Sequence, residues 1–153
     1  MAATVGVNFL SVVHKGSGGV TVAFPDVCNT PAPPSPPVPV PYPNVARSAD
    51  AADTTKKVKA DGHPLCTKGS CFRTSTGDEA GATGGVVSGT VKGKAAFVSY
   101  SMDVTVEGKP VARALDLMLH NDRNTPPVPL NQGPVVELSG TEPPVCSICD
   151  KPL

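Results

Sequence analysis

Apolar positions in this chain come in short runs, cut by glycine or proline before a helix could complete several turns. Residues 5–24, "VGVNFLSVVHKGSGGVTVAF", have apolar, β-rich ends around "KGSGG". That pattern predicts a hairpin, with glycine supplying the left-handed backbone of the turn. Residues 46–57, "ARSADAADTTKK", are the best candidate for a short helix, weakened by Thr54 and Thr55. Residues 82–93 are glycine-punctuated and read as a loop or irregular strand. The clearest strand region is 94–108, where Phe97, Tyr100, Val104 and Val106 alternate with polar residues around a break at Ser101. Residues 111–120, "VARALDLMLH", score as a helix by apolar spacing, and 125–145 return to proline-rich, irregular chain.

Between Phe24 and Asn44 the pattern changes. Eight prolines occupy the thirteen positions from Pro31 to Pro43. Proline fixes φ and removes a backbone donor, so the segment is extended or a set of rigid turns, and neither helix nor inner strand. A linker or a docking peptide is the ordinary reading. Phe24, Cys28 and Tyr42 bracket the run with groups that prefer burial, which favours a structural wrap over 25–44.

Two stretches repeat. "VKADGHPLC" (58–66) and "VTVEGKPVA" (104–112) share V-x-x-(acid)-G-x-P-(apolar). The acid–Gly step marks a tight turn, and proline stiffens the start of the return strand. Repeated strand–turn–strand units point to a β structure built from hairpins.

Composition narrows the picture. Among 153 residues there are 15 glycines and 18 prolines, only 4% aromatics and no Trp, so rigidity must come from turns rather than a thick core. The 13 basic and 13 acidic residues balance, which speaks against an electrostatic nucleic-acid binder. No apolar run is long enough for a membrane span, so no stable membrane insertion is expected. The N-terminus lacks the basic and apolar regions of a secretory signal, so synthesis in the cytoplasm is expected. Five cysteines, an odd count in a chain without such a signal, favour thiols or a metal over a disulfide framework.

For chemistry, the strongest motif is "CSIC". Cys146 and Cys149 could ligate zinc from one turn, with two further ligands needed. His63 with Cys66 is one candidate pair, and His14 another candidate. Cys66 and Cys71 otherwise read as small core or loop thiols. Asp78 and Glu79 are adjacent in "STGDEAG" and point to opposite faces if extended, so shared acid–base work is not expected. Asp78 is expected to receive turn N–H groups. "HKGSGG" lacks the order of a phosphate loop. A His14, Ser17 and Asp26 triad can be drawn on paper, without any nucleophile elbow to support it. Arg113 and Asp116 are placed to pair or to bond backbone.

Val104, Val106, Gly108, Pro110, Ala112, Arg113, Asp116 and His120 together resemble the repeat of PAAR proteins. The likeness extends to the PAAR-like, or PIPY, family through "KGSGG", "FPDVC" (Phe24, Pro25, Asp26 to Cys28), "PVPYPN" (including Pro41, Tyr42, Pro43 and Asn44), "STGDEAG" (including Gly77, Asp78 and Glu79) and "FVSY". It covers roughly residues 10–121, with "PVPY" in place of "PIPY". The resemblance implies a mainly β, cone-like fold with at most one or two short helices. It also implies a domain over 1–121 that includes the proline wrap, and an extension over 122–153 that carries the CxxC. PAAR proteins typically hold a zinc by His and Cys near the apex. Cys28 and His120 match family positions, so with Cys146 and Cys149 they form the preferred ligand set.

The function implied is a non-enzymatic tip protein. It would cap a trimeric VgrG-type spike of a type VI secretion or related contractile system, one chain to three. It would recruit effector or adaptor proteins and leave the cell through that machine. The alternatives are a small toxin carried at the tip and a zinc-binding adaptor.

Overall fold

A computed structural model describes residues 3–135. Its first hairpin pairs β1 (Gly6–Val7) with β2 (Leu10–Ser11) around Asn8 and Phe9, both with positive φ. The hairpin turn is therefore at Asn8–Phe9. "KGSGG" instead forms a compact corner that leads into β3 (Val20–Ala32).

Strand β3 runs antiparallel to β4 (Ser35–Arg47), and together they form a long ribbon that contains the whole proline run. The proline run is thus strand-paired, within a hairpin. Prolines are confined to where the ladder tolerates them. Strand β4 is an edge of its three-stranded sheet, and in central β3 the register shifts fall at Ala23/Asp26 and Thr30/Ala32, which bracket Pro25 and Pro31.

Residues 46–57 do not form the expected α-helix. Ser48–Asp50 make a single 3-10 turn, followed by β5 (Ala51–Ala52). The alanines pair with other strands, and tertiary pairing overrides weak helix propensity. A second hairpin joins β6 (Lys59–Ala60) to β7 (His63–Pro64), and β8 (Cys71–Phe72) follows. Strand β9 (Gly84–Gly85) docks on β3 opposite Cys28 and Asn29. Strand β10 (Ala95–Phe97) opens the predicted strand region, which breaks before the third hairpin, β11 (Thr105–Val106) with β12 (Lys109–Pro110). Residues 111–120 are not helical either. They carry β13 (Leu117–Leu119), which pairs with β10 and with β14 (Val128–Pro129). The architecture is thus mainly β, as the valine, glycine and proline pattern predicts.

Two small apolar clusters hold the strands. One gathers Val13, Cys66 and Ala112 with Phe72, Phe97, Met118 and Leu130; the other centres on Val12, Leu65 and Val111. Phe72 and Phe97 meet edge to face, 5.6 Å between centroids. Residues 122–135 pack onto the preceding chain: Leu130 is fully buried, and the Gln132 amide donates to Val12 O and Ser11 Oγ.

Candidate functional site

The three hairpins are related by more than sequence. Val5, Val58 and Val104 begin equivalent units, and the turn pairs Asn8–Phe9, Asp61–Gly62 and Glu107–Gly108 all have positive φ, as a type I′ turn requires. Behind the turns, three equivalent residues close a ring of backbone hydrogen bonds. Val13 N donates to Ala112 O at 3.1 Å, Ala112 N to Cys66 O at 3.0 Å, and Cys66 N to Val13 O at 2.8 Å. Bridges between Val12 and Arg113, His14 and Leu65, and Thr67 and Val111 repeat the same relation one residue to either side.

The corner after each ring residue is also repeated. Ser17 Oγ accepts from His14 N at 3.2 Å, Ser70 Oγ accepts from Thr67 N at 2.9 Å, and Asp116 Oδ2 accepts from Arg113 N at 2.6 Å. In the third unit Arg113 also folds back on Asp116, NH2 to Oδ1 at 3.1 Å. Both roles foreseen for this pair, ionic and backbone, are present.

The turn residues lock the ring from outside. Each binds the segment just before the next unit. Asp61 accepts from Thr4 N at 3.0 Å, Asn8 Nδ2 donates to Asp103 at 2.9 Å, and Glu107 accepts from the N–H groups of Lys56, Lys57 and Val58. Those three donors hold the Glu107 carboxyl at about 2. The result is one chain presenting three similar hairpins in a closed cycle.

Sequence reading found two copies of this unit and missed the first. Copy one has Asn8–Phe9 where the others have acid–Gly, and Ser11 where they have proline. A usable signal was present: K-G-S recurs at Lys15–Ser17 and Lys68–Ser70 with the same offset that separates Val5 from Val58.

The predicted chemistry is distributed as follows. Cys28 is buried at the middle of the ribbon beside Asp26 and Asp78, and the donor atoms of the three lie within 4.8 Å of one another. Burial, and then the two carboxylates, push the Cys28 thiol up to about 12. Asp26 accepts from the amides of Asn44 (2.6 Å), Asn124 and Asn121. Asp78 is also buried and accepts from Lys92 N at 3.0 Å, while Glu79 turns outward and accepts from Gly77 N at 2.8 Å. The two adjacent carboxylates thus face different surroundings.

The Tyr42 and Thr30 hydroxyls bond across the ribbon at 2.7 Å, and Phe24 is exposed. His120 is buried with Nε2 3.1 Å from Thr21 Oγ1, outside the Asp26–Cys28–Asp78 group. His14 bonds Asp61 at 3.1 Å and stacks on His63, with centroids 5.4 Å apart. Cys66 is enclosed in the ring, while His63 is half-buried against His14. Ser17 bonds the His14 backbone, and Asp26 contacts neither of them, so no triad is assembled. Cys146 and Cys149 lie outside the described residues.

Comparison with known proteins adds three findings. The model of the toxin PAAR-like domain family matches residues 19–127. The DNase toxin Tse7 of Pseudomonas aeruginosa is 41% identical over 133 residues, a stretch covering 82% of this chain and 34% of that protein. This chain therefore spans about a third of the length of the curated relative it matches. No solved structure matches it.

The relative corrects one expectation. A protein named as a DNase toxin points to nuclease activity, against the non-enzymatic role first inferred. The error has a physical source: a fold by itself carries no information about a reaction, which is set by the residues of a site and not by architecture. With most of its length matched by the family's model, this chain belongs to the toxin PAAR-like domain family.

Proposed function

We propose that this chain acts as a toxin delivered on the tip of a type VI or related contractile spike, harming its target by cleaving DNA, with the PAAR-like domain as the mounting element. The observation that carries the mounting part is the cyclic ring at Val13, Cys66 and Ala112 with its three matched hairpins. A threefold partner offers three identical edges, and a monomer can satisfy them only with three similar surfaces of its own. The partner is a trimeric VgrG-type spike, one chain per trimer. Contact would combine strand continuation with burial of apolar side chains. Family membership and the DNase relative support the toxin part. Export through the contractile machine follows from the same reading; no helix among the described residues is long and apolar enough to cross a membrane.

Two assays test the proposal separately. The full-length protein is mixed with a trimeric spike and analysed by native mass spectrometry; one chain per trimer is expected, and no complex would sink the mounting role. The same protein is incubated with plasmid DNA and a divalent cation; nicking or linearisation is expected, and intact plasmid at high enzyme would sink the nuclease role.

A further inference from the structure

We propose that Asp26, Cys28 and Asp78 bind one structural divalent metal ion of zinc's borderline character, tying the proline ribbon to the 75–93 loop. The inference does not depend on the delivery reading. Its donor set also differs from the His-and-Cys combination that the family resemblance implies.

The site is assembled from two distant segments. Asp26 and Cys28 sit two residues apart on β3, so both face the same side of the ribbon. Asp78 arrives on the loop after β8, held by Lys92 N. Gly81 lets that loop close: a Cβ there would stand 2.2 Å from Cys28 Cβ. Cys28 Sγ is 3.7 Å from Asp26 Oδ1 and 3.9 Å from Asp78 Oδ2. Ligands about 2.0–2.3 Å from a tetrahedral zinc stand about 3.5 Å apart, so both sulfur–oxygen separations are within a few tenths of an ångström of that spacing, and all three donor atoms lie within 4.8 Å of one another.

Electrostatics and hydrogen bonding both ask for a cation. Asp26 and Asp78 are each fully buried, and among the described residues no lysine, arginine or histidine forms an ion pair with either. Buried carboxylates without a counter-charge are costly unless a proton or a metal neutralises them. Independently, Asn44 is fully buried with its Nδ2 on Asp26, yet its Oδ1 has no donor among the described residues. An orphaned carbonyl oxygen on the amide that touches Asp26 is a ready further ligand. The thiol selects against hard ions such as magnesium and calcium. On binding, Cys28 gives up its thiol proton to solvent and the thiolate takes the ion, with no change of oxidation state.

The test uses the full chain, purified without chelator. Elemental analysis should find about one equivalent of zinc. It should persist when Cys146 and Cys149 are both changed to serine, and fall at least tenfold in Cys28→Ser and in Asp78→Asn. Replacing zinc by cobalt should give a near-ultraviolet thiolate-to-cobalt band that is absent in Cys28→Ser. Because the variants could misfold, a second measurement uses the wild type: a chelator should lower its melting temperature, and added zinc should restore it. A metal-free wild type whose melting ignores chelator would overturn the proposal, since a proton would then neutralise the pair. Loss of metal only in the Cys146/Cys149 variant would overturn it as well.

Discussion

His120 is enclosed, with Nε2 on Thr21 and Nδ1 without a partner among the described residues. Burial pushes its pKa down to about 4, against a weaker upward pull from Asp26. The unfolded side chain titrates near its ordinary value of about 6.5, so between those limits the unfolded chain binds more protons. Stability from this group is fully present above about pH 6.5 and is lost as pH falls toward 4, on the order of 3 kcal/mol. Denaturant titrations at pH 7 and 4.5 should show the loss, and His120→Gln should flatten it. Burial shifts Asp78 upward, so its contribution acts in the opposite sense as pH falls toward the ordinary carboxyl value, within the acid part of that range. The comparison of variant with wild type is therefore the decisive readout. Gly77 offers a second test at this scale. Its φ is 135°, and a Cβ would lie 2.0 Å from Pro43 O. Gly77→Ala is expected to cost about 2–4 kcal/mol in chemical denaturation, since backbone and not a flexible tip blocks the new atom.

Among the elements, the first hairpin departs from its two sisters. Phe9 occupies the left-handed position that glycine fills at Gly62 and Gly108, and it is fully exposed. A bulky residue there costs about 1–2 kcal/mol of backbone strain, with no burial in this chain to offset it. Retention makes sense if the ring is buried in a partner. Phe9→Gly should therefore raise stability by about 1 kcal/mol while weakening spike capture about tenfold, as for an aromatic anchor. Equal affinity in a pull-down titration would remove Phe9 from the docking face.

At the scale of the whole molecule, the cyclic bonding through Val13, Cys66 and Ala112 predicts stoichiometry. A complex with a trimeric spike should have a mass corresponding to one chain per trimer, whatever excess is supplied. Three chains per trimer would mean that single hairpins, and not the closed ring, are the binding unit.

Much of the fold was legible from local physics. Glycine and proline placement predicted short strands and turns, acid–Gly marked two hairpins, and the proline run had to be extended or a set of rigid turns. The helices expected near 46–57 and 111–120 failed because apolar spacing in a short segment does not separate helix from strand, and partners elsewhere in the chain decided. The same holds for the site. Cys28 and Asp78 were visible as chemistry-bearing residues, but their meeting depends on a loop that closes over Gly81. The hidden first hairpin shows the division most plainly. Asn8 and Phe9 break the local motif, and only closure of the backbone ring reveals them as the third equal member. Turn and strand preferences are encoded within a few residues, whereas a ring and a buried cluster are set by contacts far apart in the chain, which only the folded molecule brings together.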